Sequence, residues 1–137
     1  MITKYYFIED TFDHTVRTNQ KTWRPLEKVK SITGLYLFSK EDAEEFIADW
    51  IKDLRESVKQ FQEAFTTGRL SSIEAYKRVA EEEGWSGLFK TEEDIKESFL
   101  DDVKDYTECL NDDLEMLKQL ENNVFVVREI EIKIIER

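Results

Sequence analysis

The 137-residue chain carries 31 Asp and Glu against 20 Lys and Arg, a formal net charge of −11, with 40% hydrophobic and 12% aromatic residues. That length and apolar content suit one domain over residues 1–137 with a core of its own and exclude a disordered chain, while the acidity disfavours direct binding to nucleic acid or to anionic membranes. One cysteine, Cys109, excludes an internal disulfide framework, and the absence of a leader pattern or a long apolar run points to a cytoplasmic protein.

Ile2 to Ile8 is rich in β-branched and aromatic residues and reads as a first strand, ended by Glu9 and Asp10. Thr11 to Ile32 is the least regular stretch, with a second strand expected around Thr15-Val16-Arg17 and Trp23 as an anchor. Leu35 to Phe38 follows Gly34 as another short strand and feeds a helix. Ser39 and Asp42 have capping-box spacing, so that helix should begin at Lys40, and its apolar face (Ala43, Phe46, Ile47, Trp50, Ile51, Leu54, Val58, Phe61, Phe65) runs to a cap at Gly68. Ser72 opens a shorter helix with Ile73, Tyr76, Val79 and Ala80 inward, and Gly84 closes it. Trp85 and Phe89 in the next turn are expected to tuck under the helices.

Thr91 to Asn123 reads as one long helix with two faces. Ile95, Phe99, Val103, Tyr106, Leu110, Leu114 and Leu117 recur at steps of three or four as a buried stripe. Asp94, Glu97, Asp101, Asp105, Glu108, Asp112 and Glu115 keep the same steps on the other side. At 1.5 Å per residue that row is about 32 Å long, with carboxylates about 5–6 Å apart along the axis. The helix holds twelve acids and three bases, whereas residues 1–38 carry six bases and four acids, so the charge is concentrated in one element. From Val124 the period changes to two, with Val126, Ile130, Ile132 and Ile134 alternating against Glu129, Glu131 and Lys133 as a final strand. The fold expected is α+β: a small antiparallel or mixed sheet joining the N-terminal strands to the C-terminal one, packed with three helices. The alternative is a helical bundle with a terminal two-strand ribbon.

Several patterns invite a chemical reading. Glu9, Asp10, Asp13 and His14 could hold a divalent cation or move protons, but their spacing matches no EF-hand or zinc motif, and a polar turn is the plainer reading. Cys109 lies mid-helix between acids that disfavour a thiolate and reads as a small residue beside the core stripe. Lys4, Arg17, Lys21, Arg24, Lys28 and Lys30 with Trp23 and Tyr36 sketch a nucleic-acid patch that the neighbouring acidity opposes. Neither a phosphate-binding glycine loop nor a serine-hydrolase motif occurs, so no enzyme activity and no cofactor is expected. The acidic row also has a plain reading, solvation of an outer helix face. Against it stand the like-charge pairs Asp101/Asp105, Asp105/Glu108, Glu108/Asp112 and Asp112/Glu115, each a small cost that stability alone would not select. A groove of Lys and Arg built for phosphates would accept such a row.

The segment Leu35-Tyr36-Leu37-Phe38-Ser39-Lys40-Glu41-Asp42-Ala43-Glu44-Glu45-Phe46-Ile47 resembles the strand, cap and helix unit of small accessory proteins of bacteriophages and mobile elements. As a short, acidic, glycine-poor chain without a catalytic motif, the protein is similar in general character to phage-encoded inhibitors of bacterial defence, including anti-CRISPR proteins and DNA mimics. That resemblance implies binding to a basic nucleic-acid-handling protein, such as a nuclease, and blocking of its substrate channel; the residues expected to make the contact come from the spacing of the acidic row, Asp94, Glu97, Asp101, Asp105, Glu108, Asp112 and Glu115. The alternative is a structural or regulatory interaction module, including a homo-oligomer, meeting its partner through an apolar patch or the sheet edge.

Overall fold

The computed structural model describes residues 2–26, 29 and 34–133. Lys28, Lys30 and Ile134, which the sequence reading used, lie outside them. The fold is α+β: β1 (Ile2–Asp10), β2 (Thr15–Arg17), β3 (Trp23–Pro25), α1 (Lys40–Thr66), α2 (Ile73–Glu82), a 3₁₀ turn (Ser86–Leu88), α3 (Glu92–Glu121) and β4 (Phe125–Lys133). It divides into two compact units, Met1–Lys52 with Lys118–Arg137, and Asp53–Leu117.

The first unit is built on a four-stranded sheet in the order β3-β2-β1-β4, antiparallel throughout. β1 and β4 pair along their whole length, from Ile2 opposite Lys133 to Asp10 opposite Phe125. The two ends of the chain therefore satisfy each other's backbone groups, which neither strand could do alone. Asp10 makes the turn out of β1: its buried carboxylate accepts the backbone N–H groups of Phe12 (2.9 Å) and Asp13 (3.1 Å), and His14 then takes a left-handed φ of 57°. The expected strand over Leu35–Phe38 is reduced to two bridges, Leu35 to Thr18 and Phe38 to Tyr6.

Both faces of this sheet are covered. Alternation along β1 sends Phe7 to one side, where it clusters with Val16 and Leu35, flanked by Val29, Leu37 and Ile130. Ile8, fully buried, goes to the other. There Trp50 of α1 stands edge-on to Phe125 of β4 at 4.8 Å and stacks on Trp23 of β3 at 6.1 Å, while Phe46 and Phe38 extend the aromatic row. Trp23, expected as a loop anchor, lies in strand β3 and packs from there against Trp50 and Phe125. Arg17, a member of the sketched basic patch, lies 5.6 Å from the Trp23 ring centroid and 5.8 Å from that of Phe46. A guanidinium held against two rings is part of this unit's packing. Shortening Ile8 to alanine removes a fully enclosed side chain from the central strand pair, and an unfolding free energy lower by about 2–5 kcal/mol is expected in urea titration.

The second unit is helical. Thr67 and Gly68 both donate to the Glu63 carbonyl (2.9 and 2.8 Å) to end α1, and a Cβ at position 68 would come within 2.8 Å of Ala64 Cα, so the turn requires glycine. Ser72 caps α2 through Ala75 N–H (3.0 Å), and Gly84 closes it at φ 79° while Trp85 N–H returns to the Ala80 carbonyl (2.9 Å). Ala75, Tyr76 and Ala80 are the buried face of α2. Tyr76, 1% exposed, is central: its ring meets Trp85 at 5.2 Å and Phe99 at 5.5 Å, both edge-on. Leu88 in the 3₁₀ turn is exposed, whereas Trp85 and Phe89 are half-buried and pack together, ring centroids 5.8 Å apart.

Candidate partner-binding surface

α3 is positioned by its cap and by the polar residues of its inner side. Thr91 Oγ1 accepts from Asp94 N–H at 3.2 Å, and the Asp94 carboxylate accepts from Lys90 N–H at 3.3 Å. Glu92, Glu93 and Asp94 crowd the first turn and Lys118 stands in the last, the distribution that complements the helix dipole. Of the row residues, Asp94 thus has a local structural task as well.

The half-buried side of α3 comprises Ile95, Phe99, Val103, Tyr106, Leu110 and Leu117, as the spacing predicts, and also Ser98, Asp102 and Asp113. Tyr76 Oη donates to Asp102 Oδ2 at 2.9 Å; because a carboxylate only accepts, the 2.6 Å contact with Ser98 has the serine as donor. Burial pushes the Tyr76 phenol above its ordinary range; the bond from Ser98 opposes this, and Asp102, as acceptor and as a negative charge, adds to the rise. Ser57 of α1 donates to Asp113 at 2.6 Å, and Arg69 donates to Tyr106 Oη at 2.6 Å with its guanidinium carbon 5.1 Å from the ring centroid. Two acids of α3 are therefore spent inside the unit. Leu114, expected on the inner stripe, is 40% exposed, and Asp113 faces inward instead: after Leu110 the helix continues by a step of three, bringing position 113 back to the face set by Tyr106. Cys109, expected beside the core, is exposed.

All seven residues of the acidic row, Asp94, Glu97, Asp101, Asp105, Glu108, Asp112 and Glu115, are exposed. At about 100° per residue they fall within about 80° of one another around the axis, opposite the apolar stripe. Among the described residues none of them has a cationic nitrogen within 4.0 Å. Lys104 stands three residues after Asp101 and four before Glu108 without closing an ion pair on either. Ion pairs form elsewhere: Arg128 with Glu9 (2.9 Å), Lys4 with Glu129 (3.5 Å), and Lys77 with Glu92, whose carboxylate holds the lysine ammonium above its ordinary range.

The other sequence candidates disperse. Glu9 is tied to Arg128 and Asp10 to its own turn, and among the described residues no three His, Cys, Asp or Glu side chains converge on a metal position. A groove of about 400 Å³ opens between Phe61, Ala64, Thr67 and Tyr106, with Arg69 on its wall; the Arg69 Nε is buried with no acceptor among the described residues. The inner polar residues Ser98 and Asp102, Arg69 and Asp113 were missed by periodicity. Ser98, Asp102 and Tyr106 at i, i+4 and i+8 were the available signal, a polar line along the edge of an apolar stripe. No described helix is long and apolar enough to cross a membrane. Comparison with family models, with curated proteins and with solved structures gives no match.

Proposed function

We propose that this chain is a non-enzymatic binding protein of the inhibitor type, whose row from Asp94 to Glu115 occupies a cationic, nucleic-acid-binding groove of a host defence protein in the manner of a DNA mimic. One observation carries the reading: seven aligned, exposed carboxylates on a 30-residue helix, none with a cation of its own within 4.0 Å among the described residues. Charges left unpaired keep their full attraction for a visiting surface, and the self-repulsion they impose on the helix is relieved when lysines and arginines arrive. A groove evolved for phosphates supplies those cations at comparable spacing.

The test is capture on the immobilised protein from a bacterial lysate at low and at high salt, with mass spectrometry of what elutes. A row that acts through charge retains a basic nucleic-acid-handling protein at low salt and releases it steeply as ionic strength rises. Retention of that partner unchanged by salt would place the contact on an apolar surface and remove the row from the mechanism.

A further inference from the structure

The two outer edges of the four-stranded sheet are guarded unequally. β3 is three residues long and ends in Pro25, which has no N–H to offer, so that edge is short and blunted. β4 is nine residues long, has no proline and pairs with β1 in unbroken register without a bulge. Which of its backbone groups are spent follows from Tyr6. Tyr6 N–H donates to the Phe38 carbonyl at 2.9 Å and its own carbonyl accepts from Phe38 N–H at 2.8 Å, on the side of β1 away from β4, so Tyr6 and Glu129 oppose each other without a backbone bond. The bonds to β1 therefore fall at Val126, Arg128, Ile130 and Ile132, a phase that the bond from Thr11 N–H to the Val124 carbonyl (2.9 Å) continues. Val127, Glu129 and Glu131 send their N–H and C=O groups to the outer side, where, among the described residues, no strand pairs with them and no backbone group meets them.

We propose that this edge takes an extended segment of a partner protein as a fifth strand, antiparallel to β4, in which basic and β-branched residues alternate. The side chains select that occupant. Glu129 and Glu131 lie exposed on one face of β4, while Ile130 and Ile132 lie half-buried on the other. Glu129 already has Lys4 at 3.5 Å, whereas Glu131 has no cationic nitrogen within 4.0 Å among the described residues. A strand with Lys or Arg opposite the two acids and Val or Ile opposite the isoleucines gains opposite-charge pairs on one face and apolar contact on the other. A second copy of β4 does not fit. For most of the strand to pair with itself antiparallel, the two-fold axis must pass Arg128, Glu129 or Ile130. The first sets Arg128 against its own counterpart, the second does so for Glu129, and the third sets Glu129 against Glu131 of the second copy twice. Charge is thus the guard on this edge, and it turns away the chain itself but not a strand of opposite sign. The site shares no residue with the acidic row, so it stands or falls apart from the inhibitor reading.

The probe is the blocked peptide acetyl-Val-Lys-Val-Lys-Thr-Val-Thr-amide, written to run antiparallel from Ile132 to Val126 with its lysines opposite Glu131 and Glu129. Titrated into the ¹⁵N-labelled full chain, it is expected to shift the amide resonances of Val127, Glu129 and Glu131 saturably and to slow their exchange with solvent by at least about tenfold. Methylating the backbone nitrogens of its two lysines keeps every side chain and charge, and should abolish both effects because those N–H groups face the edge. The second arm uses charge. Glu131→Lys, at an exposed position, should leave the circular dichroism unchanged and weaken the peptide about fivefold, and glutamate in place of the facing lysine of the peptide should restore most of that loss. No saturable shift, a methylated peptide that binds as tightly, an exchange of charges that restores nothing, or shifts centred on the acidic row of α3 would each overturn the proposal. Protection of the three amides that grows with the concentration of the free chain would give the edge to a second copy and overturn it as well.

Discussion

Replacing Asp101, Asp105 and Glu108 together by lysine is expected to abolish binding to a cationic groove, with affinity falling by at least about a hundredfold at low salt. The three sit at the middle of the row, so the change converts its centre from attraction to repulsion instead of trimming an end. All three are exposed and none has a cation within 4.0 Å among the described residues, so their removal breaks no ion pair. Lysine is also at least as good a helix former as aspartate or glutamate. The circular dichroism spectrum and the urea midpoint should therefore stay close to those of the unaltered protein. A binding assay against the captured partner, with those two measurements beside it, separates loss of charge from loss of fold. Binding that survives the triple change would dispose of the mimicry mechanism.

Tyr76→Ala should lower the unfolding free energy by about 3–5 kcal/mol, because it empties the space between Trp85 and Phe99 and leaves the Asp102 carboxylate without its phenol. Tyr76→Phe keeps the ring and removes only the hydroxyl, which separates the two contributions. A hydrogen bond to a charged acceptor contributes about 1.5–3 kcal/mol, so the phenylalanine variant should fall by that amount. The hydroxyl also predicts a pH dependence. Burial, the largest cause, and Asp102 raise the phenol above its ordinary value of 10.0 in the folded state. Its contribution is then fully present below the unfolded value and is lost as pH rises through the folded one. Stability measured by urea denaturation should decline above about pH 10, and the part of that decline due to Tyr76 should vanish in Tyr76→Phe. An identical alkaline limb in both proteins would show that this hydroxyl is not the group responsible.

Both experiments concern one helix, and they address its two sides. The inner side, through Tyr76, Arg69 and Ser57, holds Asp102, Tyr106 and Asp113, and a helix held there has its rotation about its own axis set. The outer side can present aligned charge only because that rotation is set. The polar contacts on the inner side thus carry consequences for the outer one that apolar packing alone, tolerant of small rotations, would not guarantee.

Much of this was legible in the order of residues. Ser39, Ser72 and Thr91 as helix caps follow from local chemistry, a hydroxyl placed to receive a free N–H, and Gly68 and Gly84 as stops follow from turns that no side chain fits easily. The period of two after Val124 and the exposure of the acidic row are equally local properties, set by geometry repeated every few residues. Only tertiary structure decided the rest. That β4 lies against β1 along nine pairs, that Leu35–Phe38 makes two bridges and no strand, and that Asp102 and Asp113 turn inward while Leu114 and Cys109 turn out depend on partners remote in sequence. Spacing assigns a residue to a side of a helix to within a step of three or four. Which of the two steps is taken is settled by whether a tyrosine, a serine or open water waits opposite it.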